Sequence, residues 1–150
     1  MRLILTTQLP RKTDVNNAYR LFYTPAHPTM REVATLDDDM PLYKLGRRTG
    51  FTGGALNGIR ESDIHGWSRD SQGVERFYRG KAHLVVCREC QAFGDLGDSG
   101  SFVVDEVGRF AGLYLGGDTE KGTGLFTVAE DLFEDIKQIT GATDVRAPTE

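Results

Sequence analysis

Short apolar runs set off by glycines and polar residues recur along most of the chain, and one stretch near the C-terminus breaks that rhythm. Leu42-Tyr43-Lys44-Leu45 reads as a strand leading into Gly46-Arg47-Arg48-Thr49-Gly50-Phe51-Thr52-Gly53-Gly54. The glycines there punctuate β-prone residues as a hairpin or bulged corner does. Four further strands are expected at His83–Cys87, Ser101–Asp105, Phe110–Leu115 and Gly124–Phe126, with Glu106-Val107-Gly108 as a hairpin turn. From Val128 the period changes, because Val128, Leu132, Phe133, Ile136 and Ile139 fall on one face of a helix. Thr127-Val128-Ala129-Glu130 fits a capping box and Gly141 a C-terminal stop. Residues 1–40 are the least organised segment. Leu3-Ile4-Leu5 and Tyr19–Tyr23 are isolated apolar pieces between Pro10, Pro25 and Pro28, and Asp37-Asp38-Asp39 reads as a solvated turn. Residues 41–150 form the ordered unit, with no internal repeat.

At 150 residues the chain suffices for one domain able to bury roughly 70% of its unfolded surface. A hydrophobic share of 39% excludes a disordered or fibrous chain, and 18 glycines against five prolines favour many turns. The fold class expected is all-β. A net charge of -4 gives no electrostatic footprint for nucleic acid, and no apolar run approaches the ~18 residues of a membrane span. No glycine-rich string has the order needed to cradle phosphate. The two cysteines, Cys87 and Cys90, cannot build a disulfide framework and point to a reducing, cytoplasmic compartment. As a single Cys-x-x-Cys they lack the four ligands of a zinc site even with His83, and read as free thiols. No cofactor or metal is expected. Trp67, Phe77 and Tyr78 read as packing residues, and His65 as a member of the polar loop Ser62–Gly66.

The chemistry lies in Gly94-Asp95-Leu96-Gly97-Asp98-Ser99-Gly100-Ser101, a loop too rich in glycine to be present for packing. Gly, Asp and Ser all favour turns, so a plain turn is one reading. The other is acyl transfer. A nucleophilic serine needs its hydroxyl exposed on a tight turn, with backbone N–H groups aimed at the oxygen that becomes negative. Ser99 is then the nucleophile, and the N–H groups of Gly97 and Ser99 form the oxyanion hole. Asp98 turns inward to shape the loop through an ion pair or hydrogen bonds.

Gly97-Asp98-Ser99-Gly100 resembles the nucleophile motif of the trypsin-like serine peptidases of the chymotrypsin fold. Lys44-Leu45-Gly46-Arg47-Arg48-Thr49-Gly50-Phe51-Thr52 is similar, with one inserted arginine, to the Lys-x-Gly-Arg-Thr-x-Gly-x-Thr pattern of that family's intracellular fungal branch. Phe102–Asp105 through Gly108 to Leu113 resembles the hairpin after the serine, and Leu125-Phe126-Thr127 the usual approach to the last helix. The similarity spans about residues 41–146. It implies a six-stranded antiparallel barrel, the second of the family's two, followed by a C-terminal helix. It also implies that Phe93, six residues before Ser99, forms the base of the specificity pocket and disfavours a basic side chain in the substrate.

The family's histidine and aspartate belong to a first barrel, for which only about forty residues precede the match. Pro25-Ala26-His27-Pro28 offers His27 as a substitute base, against a surface-loop histidine. Without a base the serine hydroxyl stays protonated. The resulting expectation is a serine endopeptidase-like domain, incompetent when alone, that acts on a polypeptide with a histidine and an aspartate from another chain or a precursor. The alternative is a non-catalytic solitary barrel, a binding or regulatory module. The partners expected are a substrate or partner protein, a second copy of the chain, or a complementing N-terminal barrel.

Overall fold

Leu42, Lys44 and Gly46 alternate in burial with Pro41, Tyr43 and Leu45, as a half-buried strand requires. The computed structural model describes residues 32–58, 62–69, 72–87 and 92–146. In it this stretch is β1 (Pro41–Gly46), which turns at residues 47–49 into β2 (Gly50–Leu56). β3 (Ser62–Arg69), β4 (Glu75–Val86), β5 (Phe102–Asp105), β6 (Phe110–Asp118) and β7 (Thr123–Val128) follow, and α1 (Ala129–Thr140) closes the order.

All strand pairs are antiparallel, in the order β2-β1-β5-β6-β7-β4-β3. β2 also meets β4, through Ala55 with Val86 and Leu56 with Val85. Together with the Asn57 N–H on the Leu84 carbonyl at 2.8 Å, these pairs form the short seam that turns the six strands other than β3 into a barrel-like circuit. β3 stands outside it, paired with β4 over Glu75–Ala82 as a two-stranded ribbon.

Leu42, Leu56, Val85, Phe93, Val103, Tyr114 and Phe126 supply the core inside the circuit, each essentially without exposed surface. Ala34 joins them: its N–H donates to the Phe110 carbonyl at 2.9 Å, and the Phe110 N–H donates to the Glu32 carbonyl at 2.8 Å. The turn from β5 to β6 is the expected one and is built on a buried carboxylate. Asp105 accepts from the N–H groups of Val107 and Arg109 and from Arg109 Nε at 2.6 Å. The expected solvated turn at residues 37–39 is exposed, with Asp39 at φ 61°.

Several expectations require correction. No side chain caps α1: its N-cap residue is Val128, in extended conformation, so the capping box does not form. Glu130 and Asp131 in the first turn still favour the positive end of the helix dipole. Gly141 ends the helix as expected, in a left-handed conformation with its N–H on the Lys137 carbonyl at 2.8 Å. Ile139 is 84% exposed, because the last helical turn runs past the barrel surface. His65 lies in a strand rather than a loop, and Trp67 and Phe77, at 70% and 53% exposure, are surface residues rather than packing. Cys87 is disulfide-bonded rather than a free thiol, and the one other cysteine, Cys90, lies outside the described residues. Among the described residues no helix is long and apolar enough to cross a membrane.

Phe126 pairs with His83 across β4 and with Tyr114 across β6, so it tests the circuit directly. Phe126→Ala is expected to lower the unfolding free energy in urea by about 3–5 kcal/mol. A loss below about 1 kcal/mol would show that these strands do not close on a common core.

Candidate active site

An inward-facing lysine on a barrel strand must find an anion or lose its charge, and Lys44 finds Asp98. Lys44 Nζ donates to Asp98 Oδ2 at 2.9 Å, with both side chains fully buried. Thr49 Oγ1 donates to the same oxygen at 2.6 Å, and the Asp95 N–H reaches it at 3.2 Å. The other oxygen, Oδ1, accepts from the N–H groups of Arg48 at 2.6 Å and Thr49 at 3.4 Å. Lys44 also donates to Thr49 Oγ1 at 2.8 Å.

Burial alone would raise the Asp98 carboxyl, yet the hydrogen bonds from Thr49, Lys44, Arg48 and Asp95 outweigh it and hold the group well below the usual carboxylate range. Burial lowers Lys44 despite the raising effect of Asp98. Its ammonium also sits 5.2 Å from the Tyr114 ring centroid and 5.8 Å from that of Phe93. The Tyr114 hydroxyl is pushed up to about 12, first by burial and then by the negative charges of Asp98 and Asp95.

Two glycines make this packing possible. A Cβ on Gly46 would lie 2.4 Å from the Asp98 carboxyl carbon, and one on Gly94 would lie 2.4 Å from the Tyr114 ring. Only hydrogen fits at either place. The string 44–52 and the string 94–101 are therefore one unit. Lys44, Gly46, Arg48 and Thr49 surround Asp98, while Thr52 Oγ1 donates to the Phe93 carbonyl at 2.5 Å.

Asp98 thus faces inward, and the adjacent Ser99 faces out. Ser99 is exposed, and its Oγ donates to the Leu115 carbonyl at 2.6 Å. Gly97 is exposed at φ 97°, and the N–H groups of Gly97 and Ser99 make no hydrogen bond to a described residue. Phe93 is fully buried, its ring 5.9 Å from that of Tyr114 and against Gly124, where a Cβ would lie 2.6 Å from the ring. His27 lies outside the described residues. The described histidines are occupied on β3 and β4: His65 lies 6.0 Å from the Phe77 ring and His83 5.8 Å from that of Phe126.

Two parts of the site escape sequence reasoning. Lys44 carries a usable signal, since an alternating strand assigns it to the same face as Leu42. The edge formed by Leu115-Gly116-Gly117 carries none. β6 pairs with β5 only as far as Leu113, and its register with β7 slips between Tyr114 and Gly116. A bulge of this kind re-aims the backbone. It leaves Leu115 out of the ladder and Gly116 and Gly117 without a strand on the β5 side among the described residues.

No family model matches the chain, and no curated protein does. Solved structures match in fold. A serine-to-alanine mutant of Rv3671c from M. tuberculosis, in its inactive form, superposes with a TM-score of 0.54 at 15% identity, covering 83% of this chain and 58% of that one. The Rv3671c protease in its inactive form gives 0.54 at 16% identity over 79% and 58%. The chymotrypsin of Cellulomonas bogoriensis gives 0.50 at 18% identity over 81% and 56%. The chain has the chymotrypsin-like fold and spans less than three fifths of the length of each of these proteins.

Lys44→Ala is expected to leave a buried carboxylate without its cation and to cost about 3–5 kcal/mol of stability. The Asp98 contribution is fully present above the unfolded carboxyl value of about 3.9 and is lost as pH falls below it toward the depressed folded value. Asp98→Asn should therefore flatten the acid limb of the stability curve measured by urea titration between about pH 2 and 5. An unchanged limb would show that Asp98 is not the group that titrates.

Proposed function

We propose that this barrel is the nucleophile-bearing half of a serine endopeptidase-like site, with Ser99 as nucleophile and the N–H groups of Gly97 and Ser99 as oxyanion hole. The observation that carries this reading is the orientation of the serine loop. Five hydrogen bonds hold Asp98 inward, so Ser99 projects outward beside two N–H groups that have no described partner. Such preorganised donors stabilise the negative oxygen of a tetrahedral intermediate at no cost in reorganisation.

The edge at Leu115–Gly117 supports a polypeptide as the ligand, because an extended peptide can add to an unpaired strand through its own backbone. Phe93 fills the space toward Gly124, which favours a small apolar side chain at the residue before the scissile bond over a long basic one. The base comes from outside the described barrel. Within it the Ser99 proton goes to the Leu115 carbonyl, an acceptor that cannot remove it. A histidine and an aspartate from another chain or a precursor would complete the triad, with His27 as the in-chain candidate. That same hydrogen bond favours the second reading, a peptide-binding module without catalysis.

Peptide boronates test the site without requiring turnover. The full chain is expected to form a tetrahedral boron adduct on Ser99, visible by boron NMR, and to bind an alanine boronate at least about tenfold more tightly than an arginine boronate. Fluorophosphonate labelling of Ser99 should be slow because its hydroxyl is not activated. Ser99→Ala binding the boronate as tightly as the native chain would remove Ser99 from the site and leave the binding module. Rapid labelling that His27→Ala abolishes would place the base within this chain.

A further inference from the structure

The β3–β4 ribbon carries two exposed aromatic rings among charged side chains. On one face the register sets Trp67 opposite Phe77, His65 opposite Arg79, Arg69 opposite Glu75 and Asp63 opposite Lys81. The Trp67 and Phe77 rings meet edge to face with centroids 5.2 Å apart. Arg69 reaches Glu75 at 2.7 Å and Arg79 reaches Asp63 at 3.6 Å, and all four side chains are well exposed. A cross-strand aromatic pair stabilises a ribbon of this kind, which two strands alone sustain only marginally in water. It does not explain the open backbone edge beside it. β3 pairs with β4 alone among the described residues, so the eight-residue edge Ser62–Arg69 is a template for another strand.

We propose that the occupant of this edge is the β3 strand of a second copy of the chain, added antiparallel about a two-fold axis through Gly66. β3 is self-complementary in that register. A two-fold axis perpendicular to the sheet keeps every residue on its own face and sets residue i opposite residue 132 minus i. Asp63 then faces the partner's Arg69, and His65 faces the partner's Trp67. Read across the four strands, one row becomes Glu75, Arg69, the partner's Asp63, the partner's Lys81, alternating in sign at every step. The next row becomes Phe77, Trp67, the partner's His65, the partner's Arg79, an aromatic pair continued by an imidazole and a guanidinium. On the opposite face the axis passes between two glycines, which bring no side chain to the contact. Shifting the register by two residues sets Asp63 against the partner's Trp67 or His65 against the partner's Arg69, and the ion pairs within the strand are lost.

The other edge of the ribbon is the control that the sequence itself supplies. β4 over Glu75–Ala82 is also unpaired on its outer side among the described residues, but it carries Arg76, Arg79 and Lys81 against the single carboxylate of Glu75. Two copies joined there would bring six cations against two carboxylates, and cations on an edge strand discourage pairing. β3 carries one charge of each sign. The proposal is independent of what Ser99 does, since β3 contributes no residue to the serine loop.

Analytical ultracentrifugation of the full chain tests it, with the emission of Trp67, the only tryptophan, as a second readout. The native chain is expected to reach twice its monomer mass as concentration rises, with Trp67 emission shifting over the same range. Asp63→Arg and Arg69→Asp should each give monomers, by placing like charges across the axis. Mixing these two variants, or combining both changes in one chain, should restore the dimer because each 63–69 contact again joins opposite charges. Arg76→Glu on β4 should leave dimerisation within about twofold of native, since Arg76 sits opposite Ser68 at a position on the other face of the ribbon from both rows. A native chain still monomeric at about 100 µM, a double variant that stays monomeric although each single variant is folded, or a dimer abolished by Arg76→Glu alone would overturn the proposal.

Discussion

A carboxylate removed from water is tolerable only if every lone pair finds a donor, and the geometry of this barrel around the serine loop follows from meeting that condition at Asp98. Lys44 reaches it from β1, Thr49 from the turn after β1, and the Arg48 and Asp95 backbones from either side. Each donor fixes a neighbour. Lys44 requires the aromatic walls of Phe93 and Tyr114, those walls require Gly94 and Gly124, and the approach of Asp98 to β1 requires Gly46. Charge neutrality in the core thereby sets the direction in which Ser99 points.

The same network shows how a strand can carry the logic of a site. In β1 the inward positions run Leu42, Lys44, Gly46: an apolar anchor, a cation and a gap. Leucine alone at those positions would give a barrel wall. The lysine and the gap turn that wall into a receptor for a loop about fifty residues further along the chain.

Much of this was legible in the sequence, and for identifiable reasons. β1, β2, β5, β6 and β7 follow from short apolar runs between glycines, and α1 from its 3.6 period. The outward Ser99 and inward Asp98 follow from small residues on both sides of a charged one. The losses are equally specific. Trp67 and Phe77 look like core residues because large aromatics usually are, and only the β3–β4 register shows that they cover each other on the surface. The β3 strand itself, with glycine at its centre and no aliphatic run, has little propensity to announce it. The capping box fails because β7 keeps Thr127 opposite Leu113 and Val128 opposite Gly112, so the helix begins one residue late, at Ala129, with the extended Val128 as its N-cap. The opening at Leu115–Gly117 depends on a bulge, which is a property of two strands in register and not of either one alone.

The Lys44–Asp98 contact joins residues 54 apart in the chain. Contacts of such separation form only after the intervening chain has been closed, so they are absent from early, locally structured folding states. The hairpin of β1 and β2 can form first, but the serine loop gains its carboxylate anchor only when the second half of the barrel arrives. Loop geometry and global fold therefore appear together and are lost together. A nascent or partly unfolded chain does not carry a preassembled serine loop, and its side chains meet their neighbours in the cell before that serine is organised for any chemistry.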